Sequence, residues 1–251
     1  MIAIVTGASS GIGQDIAKEL AKRNFDLVLV SRNKEKLNEF AKTLNVKTKV
    51  IPLDLSIKEN CYKLHEMLKD KKISVLVNNA GFGDFGRFSD SDLKTDLNMI
   101  DLNICCVHIL TKLFLKDFLK NDHGFILNVS SLAGFMPGGP LMATYYATKS
   151  YILSLSLAIY EEIRKCKSKV SISVLCPGPV KTKFNNRAGV NFSIKPLSSK
   201  EVAKISVEKM FKKQLLIIPG MMMKLSYVFS KLLPIKQQLM AIYHIQHKKR
   251  Y

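Results

Sequence analysis

The chain has 251 residues, 47% hydrophobic and 24% charged, with a formal net charge of +19. That balance suits a folded globular domain large enough to bury its own core, and it excludes a low-complexity or collagen-like chain. The five cysteines (Cys61, Cys105, Cys106, Cys166, Cys176) are odd in number and lack C-x-x-C spacing, so they read as reduced thiols, not a disulfide or zinc framework.

Met1 leads directly into Ile2-Ala3-Ile4-Val5, with no charged leader region before it. No uninterrupted apolar run approaches the roughly 20 residues that span a bilayer. A cytoplasmic location is therefore expected.

Residues 2–6 form a short apolar run, and a helix follows over 11–23. Between them stands Thr6-Gly7-Ala8-Ser9-Ser10-Gly11-Ile12-Gly13. Glycines in such a strand-to-helix turn let the backbone approach a pyrophosphate, which the helix N-terminus stabilises. This Thr-Gly-x-x-x-Gly-x-Gly spacing resembles the short-chain dehydrogenase/reductase family, in its single-domain branch. The cofactor contacts expected here are Gly7, Ser9, Ser10, Gly11, Ile12 and Gly13.

A second strand is expected over 26–31, ending in Val30-Ser31-Arg32-Asn33. A carboxylate at this point would hold a ribose 2′-hydroxyl. The chain instead has Ser31 and Arg32, and a guanidinium suits a 2′-phosphate, with no nearby carboxylate to compete. NADP(H) is the expected cofactor. A plain surface arginine is the alternative.

A helix over 34–44 and a strand over 49–52 come next. The strand is followed by Leu53-Asp54-Leu55, where the resemblance implies that Asp54, with Leu55 beside it, holds the adenine end. After a helix over 58–69 and a strand over 75–77 comes Asn78-Asn79-Ala80-Gly81, matching the family's Asn-Asn-Ala-Gly. Its asparagines can tie neighbouring strands, while Ala80 and Gly81 leave room for cofactor. A long helix is expected over 93–119. It contains Asn103, where the family has an asparagine that bends the helix and holds a water near the lysine.

The strand over 125–129 leads into Ser130-Ser131, and a helix over 144–164 carries Tyr145 and Lys149. Residues four apart share one helix face. A free phenol has a pKa of about 10, and a neighbouring ammonium favours its ionised form. Such a pair in a helix is common. Its place after the fifth strand matches the family's Tyr-x-x-x-Lys, which implies that Tyr145 exchanges the proton, Lys149 assists it and binds the nicotinamide ribose, Tyr145 too lies against the cofactor, and Ser131 binds the substrate oxygen. Ser130 is the alternative serine and Tyr146 the alternative phenol; Tyr146 is expected to pack or to line the substrate pocket. Ser131 precedes Tyr145 by fourteen residues, one more than the family's usual spacing, and Gly138-Gly139 can absorb the excess.

A strand over 171–175 precedes Cys176-Pro177-Gly178-Pro179-Val180-Lys181-Thr182, similar to the family's Pro-Gly motif. Pro177, Gly178, Val180 and Thr182 are thereby expected at the nicotinamide end. A helix over 199–213 and a strand over 215–218 complete an α/β pattern. With the resemblance, it implies a Rossmann-like, doubly wound, mainly seven-stranded parallel sheet covered by helices on both faces. One domain over 1–251 is expected.

Residues 195–251 carry twelve Lys/Arg and two Glu. The tail 220–251 reads as one or two basic amphipathic helices broken at Pro234. Such a tail can lie on an anionic membrane, close over a lipidic substrate, or pack on its own core or a partner subunit. A homodimer or homotetramer is expected, and nucleic acid is not an expected partner. The apolar content of 135–144 and 184–194 points to a hydrophobic carbonyl or alcohol. The alternatives are a silent cofactor-binding sensor or scaffold, and a membrane-associated reductase of lipid-type carbonyls.

Overall fold

Strands rich in Val, Ile and Leu need cover on both faces, and this architecture supplies it. The structure, a computed structural model, describes residues 1–181, 196–220 and 233–247. The strands are β1 (Ile2–Thr6), β2 (Asp26–Ser31), β3 (Thr48–Pro52), β4 (Ile73–Asn78), β5 (Phe125–Val129), β6 (Ser171–Leu175), β7 (Val180–Lys181), β8 (Leu197–Ser198) and β9 (Leu216–Ile217). Seven of them form one parallel sheet in the order β3-β2-β1-β4-β5-β6-β9. The expected runs all appear in it. The short parallel pair β7-β8 was not expected.

The described helices are α1 (Gly11–Ala21), α2 (Lys34–Ala41), α3 (Lys58–Glu66), α4 (Leu93–Ile100), α5 (Val107–Lys120), α6 (Ala143–Lys165), α7 (Ser199–Phe211) and α8 (Ile235–His247). Alternation along β1 divides the core in two. Ala3 and Val5 face one layer with Ile16 and Leu20 of α1, Leu37 of α2 and Val207 of α7. Ile4 faces the other, with Leu64 of α3 and Phe114 and Phe118 of α5. Each fully buried side chain of this size stabilises the fold by roughly 1.5–3 kcal/mol.

The helix expected as one piece over 93–119 is interrupted. Asp101–Cys106 forms a π-helical turn between α4 and α5. The buried Asn103 amide donates to Phe82 O at 2.8 Å and accepts from Phe82 N at 3.1 Å. Satisfying that backbone draws the turn toward the loop after β4, and a π turn takes up the added residue. By length and composition Leu93–Lys120 would also suffice to cross a membrane. Here Leu110, Phe114 and Phe118 are buried in the core beside the sheet, which accounts for its apolar character.

The sheet order reverses between β1 and β4, so their carboxyl ends flank a crevice suited to a ligand. Asn79 holds these ends together: its Nδ2 donates to Thr6 O at 2.9 Å, and its backbone N–H donates to Thr6 Oγ1 at 2.9 Å. Beside it, Asn78 Nδ2 donates to Asn128 Oδ1 at 2.9 Å and to Thr111 Oγ1 at 3.0 Å, joining β4 to β5 and α5.

Candidate active site

A cleft of about 580 Å³ runs along these strand ends. At one end it is lined by Gly7, Ser9, Ser10, Gly11 and Ile12. Gly7 and Gly11 have φ of 65° and 59°, which favours glycine. A Cβ on Gly7 would stand 2.7 Å from Asn79 Nδ2 and 2.9 Å from Ala80 Cα. Ser10 precedes α1 but makes no side-chain cap, leaving the first helical N–H groups for an anion. Gly13 is not at the cleft wall. A Cβ there would collide with the Asn79 amide and stand 2.6 Å from Gly7 O, so Gly13 lets α1 pack against the β4 end.

Beyond β2 the wall includes Ser31, Arg32, Asn33 and Lys36. Ser31 Oγ is buried without a hydrogen-bond partner among the described residues. Asn33 caps α2 by accepting from Lys36 N at 2.7 Å, which sets Lys36 one turn beyond Arg32. Contrary to the sequence expectation, Arg32 does have a carboxylate beside it: Nη1 lies 3.8 Å from Asp54 Oδ2. The fold brings the ends of β2 and β3 together. Both side chains are partly exposed, so the pair is weak and the guanidinium stays available. Asp54 and Leu55 line the cleft, and Asp54 Oδ1 accepts from Ser56 N at 3.0 Å. A glycine cradle, an open helix end and an unpaired hydroxyl beside two cations fit a nicotinamide dinucleotide.

At the other end the cleft is lined by Ser131, Tyr145, Lys149, Pro177, Gly178 and Val180. Thr182 lies outside the described residues, as does 184–194. Ala80 and Gly81 also line the cleft, and a Cβ on Gly81 would stand 2.9 Å from Asn103 Oδ1 and 3.6 Å from Lys149 Nζ. Asn103 therefore sits behind the wall, where its Nδ2 also donates to Thr148 Oγ1 at 3.1 Å.

The two serines separate clearly. Ser130 Oγ is buried and donates to Lys149 O at 2.7 Å. Ser131 Oγ accepts from Ala133 N at 3.2 Å and is hydrogen-bonded to the Tyr145 phenol. Lys149 Nζ donates to Val129 O at 3.0 Å and lies 5.7 Å from the Tyr145 ring centroid.

The expectation that the ammonium depresses the phenol is corrected. Burial pushes Tyr145 up to about 12, and the Ser131 hydrogen bond only partly opposes it. Burial also brings Lys149 down to about 8. Desolvation disfavours the charged form of each. Tyr145 is thus a neutral proton donor at neutral pH, and Lys149 is poised to lose its charge just above it.

Lys36, Phe82, Met142 and Gln246 also line the cleft and were not singled out from the sequence. Lys36 had a usable signal, four residues beyond Arg32 on a helix start. Gln246 had none, because α8 is distant in sequence from every motif.

Residues 1–191 match the family model described as short chain dehydrogenase. An oxidoreductase of Staphylococcus epidermidis described as uncharacterized is 36% identical over 184 residues, covering 72% of this chain and 78% of that protein. The very-long-chain 3-oxoacyl-CoA reductase of Anas platyrhynchos is 39% identical over 200 residues, covering 76% of this chain; the chain spans 63% of that protein's length. The fold matches a short-chain dehydrogenase from Sphingobium yanoikuyae in complex with NADPH, with a TM-score of 0.82 and 26% identity, covering 96% of this chain and 95% of that one.

Proposed function

Because the chain belongs to the short-chain dehydrogenase/reductase family, we propose that it is an NADP(H)-dependent oxidoreductase of a hydrophobic carbonyl/alcohol pair, with Tyr145 as the proton-transferring group. Family membership makes it an oxidoreductase of C=O and CH–OH groups using a nicotinamide cofactor. The observation that carries the finer reading is the convergence of Ser131, Tyr145 and Lys149 on the cleft that also holds the glycine cradle.

A nicotinamide held in this cleft would supply the hydride. Ser131 and Tyr145 hold the substrate oxygen and stabilise the negative charge that grows on it. Tyr145, neutral up to about 12, donates the proton to that oxygen. Lys149, fixed by Val129 O, places a positive charge beneath the phenol below a pH of about 8. Ser31, Arg32 and Lys36 support a 2′-phosphate and hence NADP(H). Phe82, Leu132 and Met142 support an apolar substrate. The Anas platyrhynchos relative, named as a 3-oxoacyl-CoA reductase, supports an acyl ketone.

The test is a panel of hydrophobic ketones, aldehydes and acyl ketones, read by loss of NADPH absorbance. Turnover of at least one member is expected. A chain that binds NADPH but reduces none of them would sink the reading.

A further inference from the structure

α8 roofs the substrate end of the cleft. Its buried residues are Ile242 and Gln246, four apart and so on one face. Leu239 Cδ2 reaches within 3.2 Å of where a Cβ on Gly138 would stand. Gln246 is only 1% exposed, yet it lines the cleft. Its Nε2 donates to Tyr146 Oη at 2.6 Å.

A buried amide costs stability unless it is hydrogen-bonded, and packing alone would be served by leucine. Tyr146 is equally constrained. Its ring lies so close to Gly139 that a Cβ there would collide with it, and it meets the Tyr145 ring edge-on at 6.2 Å between centroids. Accepting from Gln246 leaves the Tyr146 O–H to donate into the cleft. Two neighbouring phenols, each held by its own polar partner, thus face one apolar space.

We propose that Tyr146 and Gln246 determine substrate specificity by binding a second hydrogen-bond acceptor of the substrate, a short spacer from the carbonyl engaged by Tyr145. This rests on the carbonyl-reductase reading above. The substrate class is a ketone carrying an ester, thioester or acid carbonyl nearby, as in a 3-oxoacyl compound. Tyr146 donates to the second carbonyl oxygen. Gln246 is a positioning residue that orients the Tyr146 hydroxyl from across the cleft.

The experiment compares ethyl 3-oxohexanoate with 4-nonanone, which share main-chain length and ketone position but differ in the second carbonyl. The full chain, Tyr146→Phe and Gln246→Leu are assayed with NADPH. Losing one net hydrogen bond should lower the ratio of kcat/KM for the ester over that for the ketone by about threefold or more in each variant, chiefly through KM for the ester. A smaller change in that ratio, including equal losses on both compounds, would overturn the proposal. The two substitutions lie on different elements, so either variant reads the ratio if the other fails to fold. Absence of turnover by the unsubstituted chain would overturn the reductase reading as well, which separates the two failures.

Discussion

The ammonium of Lys149 donates to the carbonyl of Val129 at 3.0 Å, joining α6 to the end of β5. The Lys149 carbonyl in turn accepts from the Ser130 hydroxyl at 2.7 Å. Lys149 is therefore stitched to the strand end at both its side chain and its backbone. Tyr145, one turn earlier on the same helix face, is held over Ser131 as a result. The loop before α6, where Leu141 has φ of 66°, separates Ser131 from Tyr145 in the sequence.

Tyr145→Phe keeps the ring but removes the proton. Turnover should fall by roughly 10²–10⁴-fold, the usual worth of general acid catalysis, while the NADPH dissociation constant stays within about twofold. Stopped-flow reduction and NADPH fluorescence titration would check this. Retained turnover would refute the role given to the phenol.

Lys149 gives the pH dependence of stability a definite sign. Its ordinary value is 10.5, and burial brings it to about 8 in the folded chain. Below about 8 it is charged in both states, so the full cost of burying the charge applies. Between about 8 and 10.5 the unfolded chain binds the proton and the folded chain does not, so stability rises with pH across that window. The difference corresponds to roughly 3 kcal/mol. Urea midpoints from pH about 7.5 to about 10 should show this rise in the parent relative to Lys149→Met. Parallel pH profiles would contradict it.

Cofactor choice is testable at the end of β2. Ser31→Asp combined with Arg32→Ala replaces a phosphate-seeking cation with a carboxylate. Charge-assisted hydrogen bonds contribute about 1.5–3 kcal/mol, so the preference for NADPH over NADH should fall by roughly ten- to a hundredfold. Lys36→Ala should move it in the same direction by less. An unchanged ratio of dissociation constants would remove the proposed 2′-phosphate contact.

Asn103→Leu removes the side chain that hydrogen-bonds both Phe82 backbone groups. Each such bond contributes about 0.5–1.5 kcal/mol net, and each kcal/mol lowers the melting temperature by about 2–4 °C in a chain of this size. A fall of roughly 2–12 °C is expected by calorimetry. A variant that melts with the parent would show that the π turn does not depend on this side chain.

The amino-acid sequence by itself determined the sheet, the glycine cradle and the Tyr145–Lys149 pair. Each rests on local pattern: short apolar runs, a strand-to-helix turn rich in glycine, and two residues four apart on a helix. Such patterns survive without knowledge of distant contacts. The tertiary structure alone decided which serine faces the phenol, because Ser130 is occupied by a carbonyl nineteen residues away. It also placed Asp54 beside Arg32, broke the long helix at Asn103 and brought Gln246 onto Tyr146, a hundred residues apart. Above all it set the sense of the Tyr145 pKa. Adjacency to a lysine argues for a lowered value, but burial determines the outcome, and burial belongs to the packed chain as a whole.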